Sequence, residues 1–216
     1  MSTAAHSPIA SAETGGQGDS DSVGEGLARE NSARSDLARE GSPSDDVVPF
    51  PLERFADILE ANAGYAASFA DLGLSPKAAR GLAVITCMDS RIDPLRILGM
   101  KPGDVKILRN AGGRVTNDVL RTLVLAAYLL DVRRVLVMPH TRCRMVGSRE
   151  EDIHALIARE HGVDTRGMEF RTVQDQVRSL RTDVRRIRSF PLLPADIVVG
   201  GAVYDVDTGL LDPVDA

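Results

Sequence analysis

The chain has 216 residues, 43% apolar and 4% aromatic, with 26 Lys and Arg against 31 Asp and Glu and two cysteines. That length supports one ordinary domain and is marginal for two, and no apolar run reaches the roughly 18 residues of a membrane span. The start lacks the basic-then-apolar order of a secretory signal, two cysteines cannot build a disulfide framework, and a net charge of −5 argues against a dedicated nucleic-acid binder. The expectation is a cytoplasmic thiol protein with neither membrane nor nucleic acid as partner.

Charge is unevenly spread. Residues 1–46 hold nine acids, three Arg, nine Ser and six Gly, with no Phe, Tyr or Trp. Such a stretch buries too little apolar area to offset its ordering entropy, so it reads as a disordered acidic tail. Within it Leu27-Ala28-Arg29-Glu30 recurs as Leu37-Ala38-Arg39-Glu40, too short a repeat for a solenoid. Residues 47–216 read as one folded domain.

Phe55, Ile58, Leu59, Tyr65 and Phe69 predict one or two amphipathic helices. Leu82 to Thr86 reads as a buried strand, Pro94 to Leu98 as a helical turn, and Val105 to Leu108 as a second strand. Arg109 to Arg114 is a glycine-bearing loop, after which Thr116 can cap a helix running to about Leu130. Arg134 to Met138 is a third strand, stopped by Pro139. Residues 150–161 read as a helix, and Val177, Leu180, Val184 and Ile187 repeat at helical spacing beside a row of arginines. That row reads as a solvated face, since no aromatic residues are interleaved for base stacking. Ile197 to Val199 and Ala202 to Val206 give the last strand segments, and Asp207-Thr208-Gly209 a turn. Strands alternating with helices predict an α/β domain with a mostly parallel sheet.

In such sheets ligands bind beyond the carboxyl ends of strands. Two strand ends here are unusual. Cys87-Met88-Asp89-Ser90-Arg91 follows the first; in extended backbone, residues 87, 89 and 91 would share a side. His140-Thr141-Arg142-Cys143 follows the third, where one tight turn can aim His140 and Cys143 at one point. Two thiolates and one imidazole form a catalytic zinc set with a fourth position left over. Three plainer readings stand beside it: buried cysteines as small core hydrophobes, a hydrogen-bonded structural histidine, and a Cys87–Cys143 redox pair. His6, His154 and His161 read as tail or surface residues.

These two motifs, with Arg109-Asn110-Ala111-Gly112 between them and Gly201-Ala202-Val203-Tyr204-Asp205-Val206-Asp207-Thr208-Gly209 after them, resemble the β-class carbonic anhydrases, most closely the short bacterial members. The similarity spans about residues 52–212, in order. It implies a sheet of four parallel strands and one antiparallel strand, flanked by helices. It implies a homodimer or tetramer and one zinc ion per chain on Cys87, His140 and Cys143. It also implies that Asp89 and Arg91 act as a pair beside the metal, catalysing reversible hydration of CO2 to bicarbonate.

The residues suit those roles. Arg91 can hold Asp89 bidentately, keeping it ionised and off the metal; released, Asp89 becomes a fourth ligand in a closed state. Gly112 can bring a backbone N–H close to product, and Ala111 and Val115 are expected to line an apolar substrate pocket. No residue stands out as a proton shuttle, which leaves that step to buffer. Arg144 departs from the small residue common in the family, and Arg142 places a second cation between the ligands. Hydrolysis of COS or CS2 on the same scaffold is the alternative enzyme reading. A zinc-stabilised non-catalytic dimer would not require the Asp89–Arg91 pair, and nucleotide binding lacks its glycine signatures.

Overall fold

The computed structural model describes residues 48–216; the acidic tail and its short repeat lie outside the described residues. The chain divides into two units, residues 1–68 and 69–216, so the predicted 47–216 domain spans parts of both. In the first unit a 3-10 turn, Leu52–Phe55, leads into helix α1, Ala56–Ala67, on which no residue is buried. The predicted amphipathic segment is therefore one helix, and the rings of Phe50 and Phe55 lean together with centroids 5.2 Å apart.

The second unit is built on a five-stranded sheet. Its strands are β1 (Leu82–Cys87), β2 (Val105–Asn110), β3 (Arg134–Met138), β4 (Val198–Tyr204) and β5 (Leu211–Val214), in the order β2-β1-β3-β4-β5. The β1–β2, β1–β3 and β3–β4 pairs are parallel and β4–β5 is antiparallel. Four parallel strands and one antiparallel strand match the expected sheet.

Alternation along the strands sorts side chains onto two faces. Ala83 and Ile85 of β1 and Val135 and Val137 of β3 face the larger core. Two helices close that side. Helix α3 (Asn117–Leu129), capped by Thr116, buries Val119, Leu120, Leu123, Ala126 and Ala127. Helix α5 (Gln176–Arg188), capped by Asp175, buries Leu180, Val184 and Ile187 and turns its arginines outward. On the other face Leu82, Val84 and Met138 pack with Ile92, Cys87 and Cys143, beside the short helix α2 (Pro94–Ile97). Helix α4, Glu150–His161, ends on Gly162 in a left-handed cap. Among the described residues no helix is long and apolar enough to cross a membrane.

The crossovers set the place of the site. From β1 the chain moves to β2 on one side, then returns across to β3 on the other. The strand order reverses between β1 and β3, where two parallel carboxyl ends diverge and leave a crevice. Thr86 at the end of β1 is paired with Met138 at the end of β3, and the buried Thr86 hydroxyl donates to the Met138 carbonyl at 2.7 Å. Both unusual strand ends open into that crevice.

Candidate metal centre

Cys87 is the last residue of β1, and His140 follows β3 by two residues. The chain then turns sharply through Arg142, which sits at φ 55°, to bring Cys143 back to the same point. One donor atom from each of Cys87, His140 and Cys143 lies within 4.8 Å of the other two, and all three residues are buried. The sulfurs are 3.9 Å apart. Zinc–sulfur bonds of ~2.3 Å at a tetrahedral angle separate two sulfurs by about 3.8 Å, so the spacing fits that ion.

The imidazole gives a second test of fit. His140 Nδ1 lies 2.8 Å from the Thr141 carbonyl oxygen, which can only accept, so Nδ1 carries the proton and Nε2 keeps its lone pair. Nε2 is buried and without a hydrogen-bond partner, an arrangement with a desolvation cost unless a cation meets it. Burial pushes the imidazole pKa down and the Cys143 thiol pKa up. Each shift disfavours the charged form in the absence of a cation.

Asp89 stands beside the donors, its Oδ2 3.7 Å from His140 Nε2 and beyond hydrogen-bond reach. Arg91 occupies both carboxylate oxygens: Nε and the backbone N–H donate to Oδ1 at 2.9 and 3.0 Å, and Nη2 to Oδ2 at 2.7 Å. Those bonds hold the Asp89 carboxyl well below the usual carboxylate range. The backbone does not stay extended beyond the strand. β1 stops at Cys87 and the chain turns, with the Ile92 N–H donating to the Asp89 carbonyl. The Asp89–Arg91 pair is thus made by a tight turn in which the aspartate accepts from the residue two on.

Residues with no expected role hold this turn. The Arg109 guanidinium donates to the carbonyls of Cys87, Asp89 and Ile92 at 2.9, 2.6 and 3.1 Å. The Asn110 side chain brackets Arg114, accepting from its N–H and donating to its carbonyl. Arg114 reaches the buried Asp183 of α5 at 2.7 Å, and Gln176 donates to the His140 carbonyl. Asp183 was discoverable: it falls three residues after Leu180, on the apolar stripe and not among the arginines.

Gly112 lines a cavity of about 10 Å³ with Cys143 and Val146, room for a single water. Ala111 is half-buried in the same 3-10 turn, Ala111–Gly113. Val115 is fully buried in the larger core with Ile85 and Val137. Arg142 pairs with Asp207 at 2.8 Å, and Arg144 is exposed.

The family model described as carbonic anhydrase matches residues 82–211, which contain all of these groups. The chain belongs to the β-carbonic anhydrase family. Zinc is the metal of β-carbonic anhydrases, and Cys87, His140 and Cys143 form a group able to hold it. β-Carbonic anhydrase 1 of Mycobacterium tuberculosis is 36% identical over 160 residues, covering 73% of this chain and 96% of that relative. The crystal structure of the carbonic anhydrase from Streptococcus mutans superposes with a TM-score of 0.71 at 35% identity, over 78% of this chain and 100% of that one. A carbon disulfide hydrolase of Acidianus is 30% identical over 152 residues, 60% of this chain and 74% of that protein.

Proposed function

We propose that this β-carbonic anhydrase interconverts CO2 and bicarbonate at a zinc ion held by Cys87, His140 and Cys143, with Asp89 and Arg91 as its working pair. The observation that carries the reading is the orphaned Nε2 of His140 within 4.8 Å of two buried sulfurs, beside a carboxylate already occupied by an arginine. Zinc, when bound, supplies a Lewis acid that ionises water near neutral pH.

The protein's own groups do the rest. Asp89, kept ionised by Arg91, is a hydrogen-bond acceptor that orients the attacking water toward carbon. Arg91 keeps that carboxylate from swinging in as a fourth ligand. Gly112 offers a close backbone approach on the substrate side, and Ala111 and Val115 line the apolar pocket for CO2. CO2 and water give bicarbonate and a proton, and the proton leaves to buffer.

A second copy of the chain is the proposed partner, as a homodimer or tetramer. Leu125, Tyr128 and Leu129 stand three and four residues apart on α3 and are all exposed, an apolar stripe suited to an isologous contact. The cytoplasm is the proposed compartment, since two thiols 3.9 Å apart stay reduced there.

Stopped-flow CO2 hydration on protein carrying one zinc per chain tests the reading. Activity should collapse in Asp89→Ala; full activity in metal-free protein, or an unchanged Asp89→Ala rate, would overturn it. The carbon disulfide hydrolase relative supports a second reading, hydrolysis of CS2 or COS. Sulfide release from those substrates, measured on the same preparation, separates the two.

A further inference from the structure

The end of β4 and the closing turn that follows it have no part in the chemistry above, yet together they are fastened to the ligand-bearing loop at four places. The Tyr204 N–H donates to the Pro139 carbonyl at 2.8 Å, and the Thr141 N–H donates to the Tyr204 carbonyl at 2.9 Å. The Val206 N–H donates to Thr141 Oγ1 at 3.1 Å. Asp207 Oδ2 meets Arg142 Nη2 at 2.8 Å. The turn is itself closed tightly. Asp205 Oδ1 accepts from the N–H groups of Asp207 and Thr208, and the Gly209 N–H donates to the Asp205 carbonyl.

What the turn grips is what aims the site. The Thr141 carbonyl accepts from His140 Nδ1 and so fixes both the tautomer and the tilt of the imidazole. The Arg142 carbonyl accepts from Arg91 Nη2 at 3.2 Å, on the nitrogen that also holds Asp89. Arg142 adopts φ 55°, a left-handed conformation that long side chains rarely take and that glycine, asparagine or aspartate tolerate better. A residue persists in such a conformation when its surroundings over-determine it, and here Asp207 pins the side chain while Arg91 engages the carbonyl.

From this geometry we infer that the Asp205–Gly209 turn is a positioning element of the metal centre, with two outputs. Thr141 transmits it to His140 and sets zinc affinity. Asp207 transmits it through Arg142 to Arg91 and sets the Asp89–Arg91 pair. Neither Thr141 nor Asp207 need touch substrate or metal. The inference rests on the catalytic reading above for its consequence in turnover, but its two outputs are measurable without turnover.

The first measurement is zinc affinity of the full chain by competition with a chromogenic chelator. Thr141→Val removes the acceptor for Val206 and should weaken zinc about 10-fold or more, the usual scale for partners that orient ligands. Thr141→Ser keeps the oxygen and should restore affinity to within about two-fold. Thr141→Ala repeats the loss if valine packs badly.

The second measurement is exchange of the Arg91 Nε–H with water by NMR, its resonance identified by its absence in Arg91→Lys. Asp207→Ala should speed that exchange and lower kcat by about three-fold, as suits an exposed ion pair, while zinc affinity stays as in the wild type. Arg142→Asp should behave likewise, although aspartate suits the left-handed backbone. The swap Arg142→Asp with Asp207→Arg should recover slow exchange. Unchanged zinc affinity in both Thr141→Val and Thr141→Ala, or unchanged Arg91 exchange in Asp207→Ala, overturns the inference. A wild-type chain that hydrates no CO2 would sink the catalytic reading alone, because the chelator and exchange measurements still decide this one.

Discussion

A β-carbon on Gly113 would stand 3.1 Å from the carbonyl carbon of Thr86 and 3.2 Å from the backbone nitrogen of Cys87. The glycine turn after β2 therefore rests directly on the strand end that delivers the first sulfur. Gly113 also sits at φ 65°, so a substitution meets strain as well as a contact with backbone tighter than a β-carbon ordinarily makes. Gly113→Ala should lose about 2–5 kcal/mol, combining a left-handed penalty of roughly 1–2 with overpacking of roughly 1–3. Urea denaturation checks the loss, and zinc affinity should fall with it because Cys87 is displaced.

Arg114 and Asp183 form a pair whose side chains are 14% and 4% exposed. Removing one partner leaves the other charge buried and alone. Asp183→Ala should lose about 3–5 kcal/mol, whereas Arg114→Met with Asp183→Leu should lose much less, since two well-packed apolar groups replace the pair. Matched denaturation curves of the single and double variants decide it.

The Arg109 guanidinium holds the carbonyls of Cys87, Asp89 and Ile92 together. Arg109→Met keeps most of the stem but leaves three oxygens without their charged donor. The expected loss is about 2–4 kcal/mol, given roughly 1.5–3 for each hydrogen bond to a charged group with partial recovery by water. The Asp89–Arg91 turn should loosen as well, read out as faster amide exchange at Arg91 and Ile92.

The sheet and the donor set were legible in the sequence because β1 and β3 are short apolar runs that each end in a chemically distinctive group. What escaped was set by tertiary contact. Leu211–Val214 has only four residues with Pro213 among them, so no pattern of its own marks it; it is a strand because β4 pairs with it. Spacing puts Asp89 and Arg91 on one side only in extended backbone, whereas the structure pairs them through a tight turn. The burial of Val115 in the larger core is likewise set by the turn through Gly112 and Gly113 and not by local pattern. The work of Arg109 and Arg114 depends on carbonyls and a carboxylate far along the chain, which no local pattern records.

The backbone N–H groups of Asp207 and Thr208 hold the Asp205 carboxyl below its ordinary value of 3.8. A carboxylate lowered in the folded state contributes stability above its unfolded pKa and loses it as pH falls through the folded one. Asp205→Asn should therefore melt lower than the wild type by a constant margin from pH 7 down to about 5, and the margin should close below about pH 4. Thermal melts across that range check the sign; a gap that widens with acid would contradict it.

The sheet works as a partition. Its larger core, sealed by α3 and α5, holds residues such as Leu123, Val135 and Ile187. The wall behind the sulfurs is smaller and built partly from Met138, Ile97, Leu98 and Met145. Methionines such as Met138 and Met145 fill irregular gaps and tolerate replacement by other apolar side chains of similar volume with little thermodynamic penalty. An engineer wishing to admit a bulkier linear molecule, such as one carrying sulfur in place of oxygen, can recarve that wall and leave the folding reservoir across the sheet untouched.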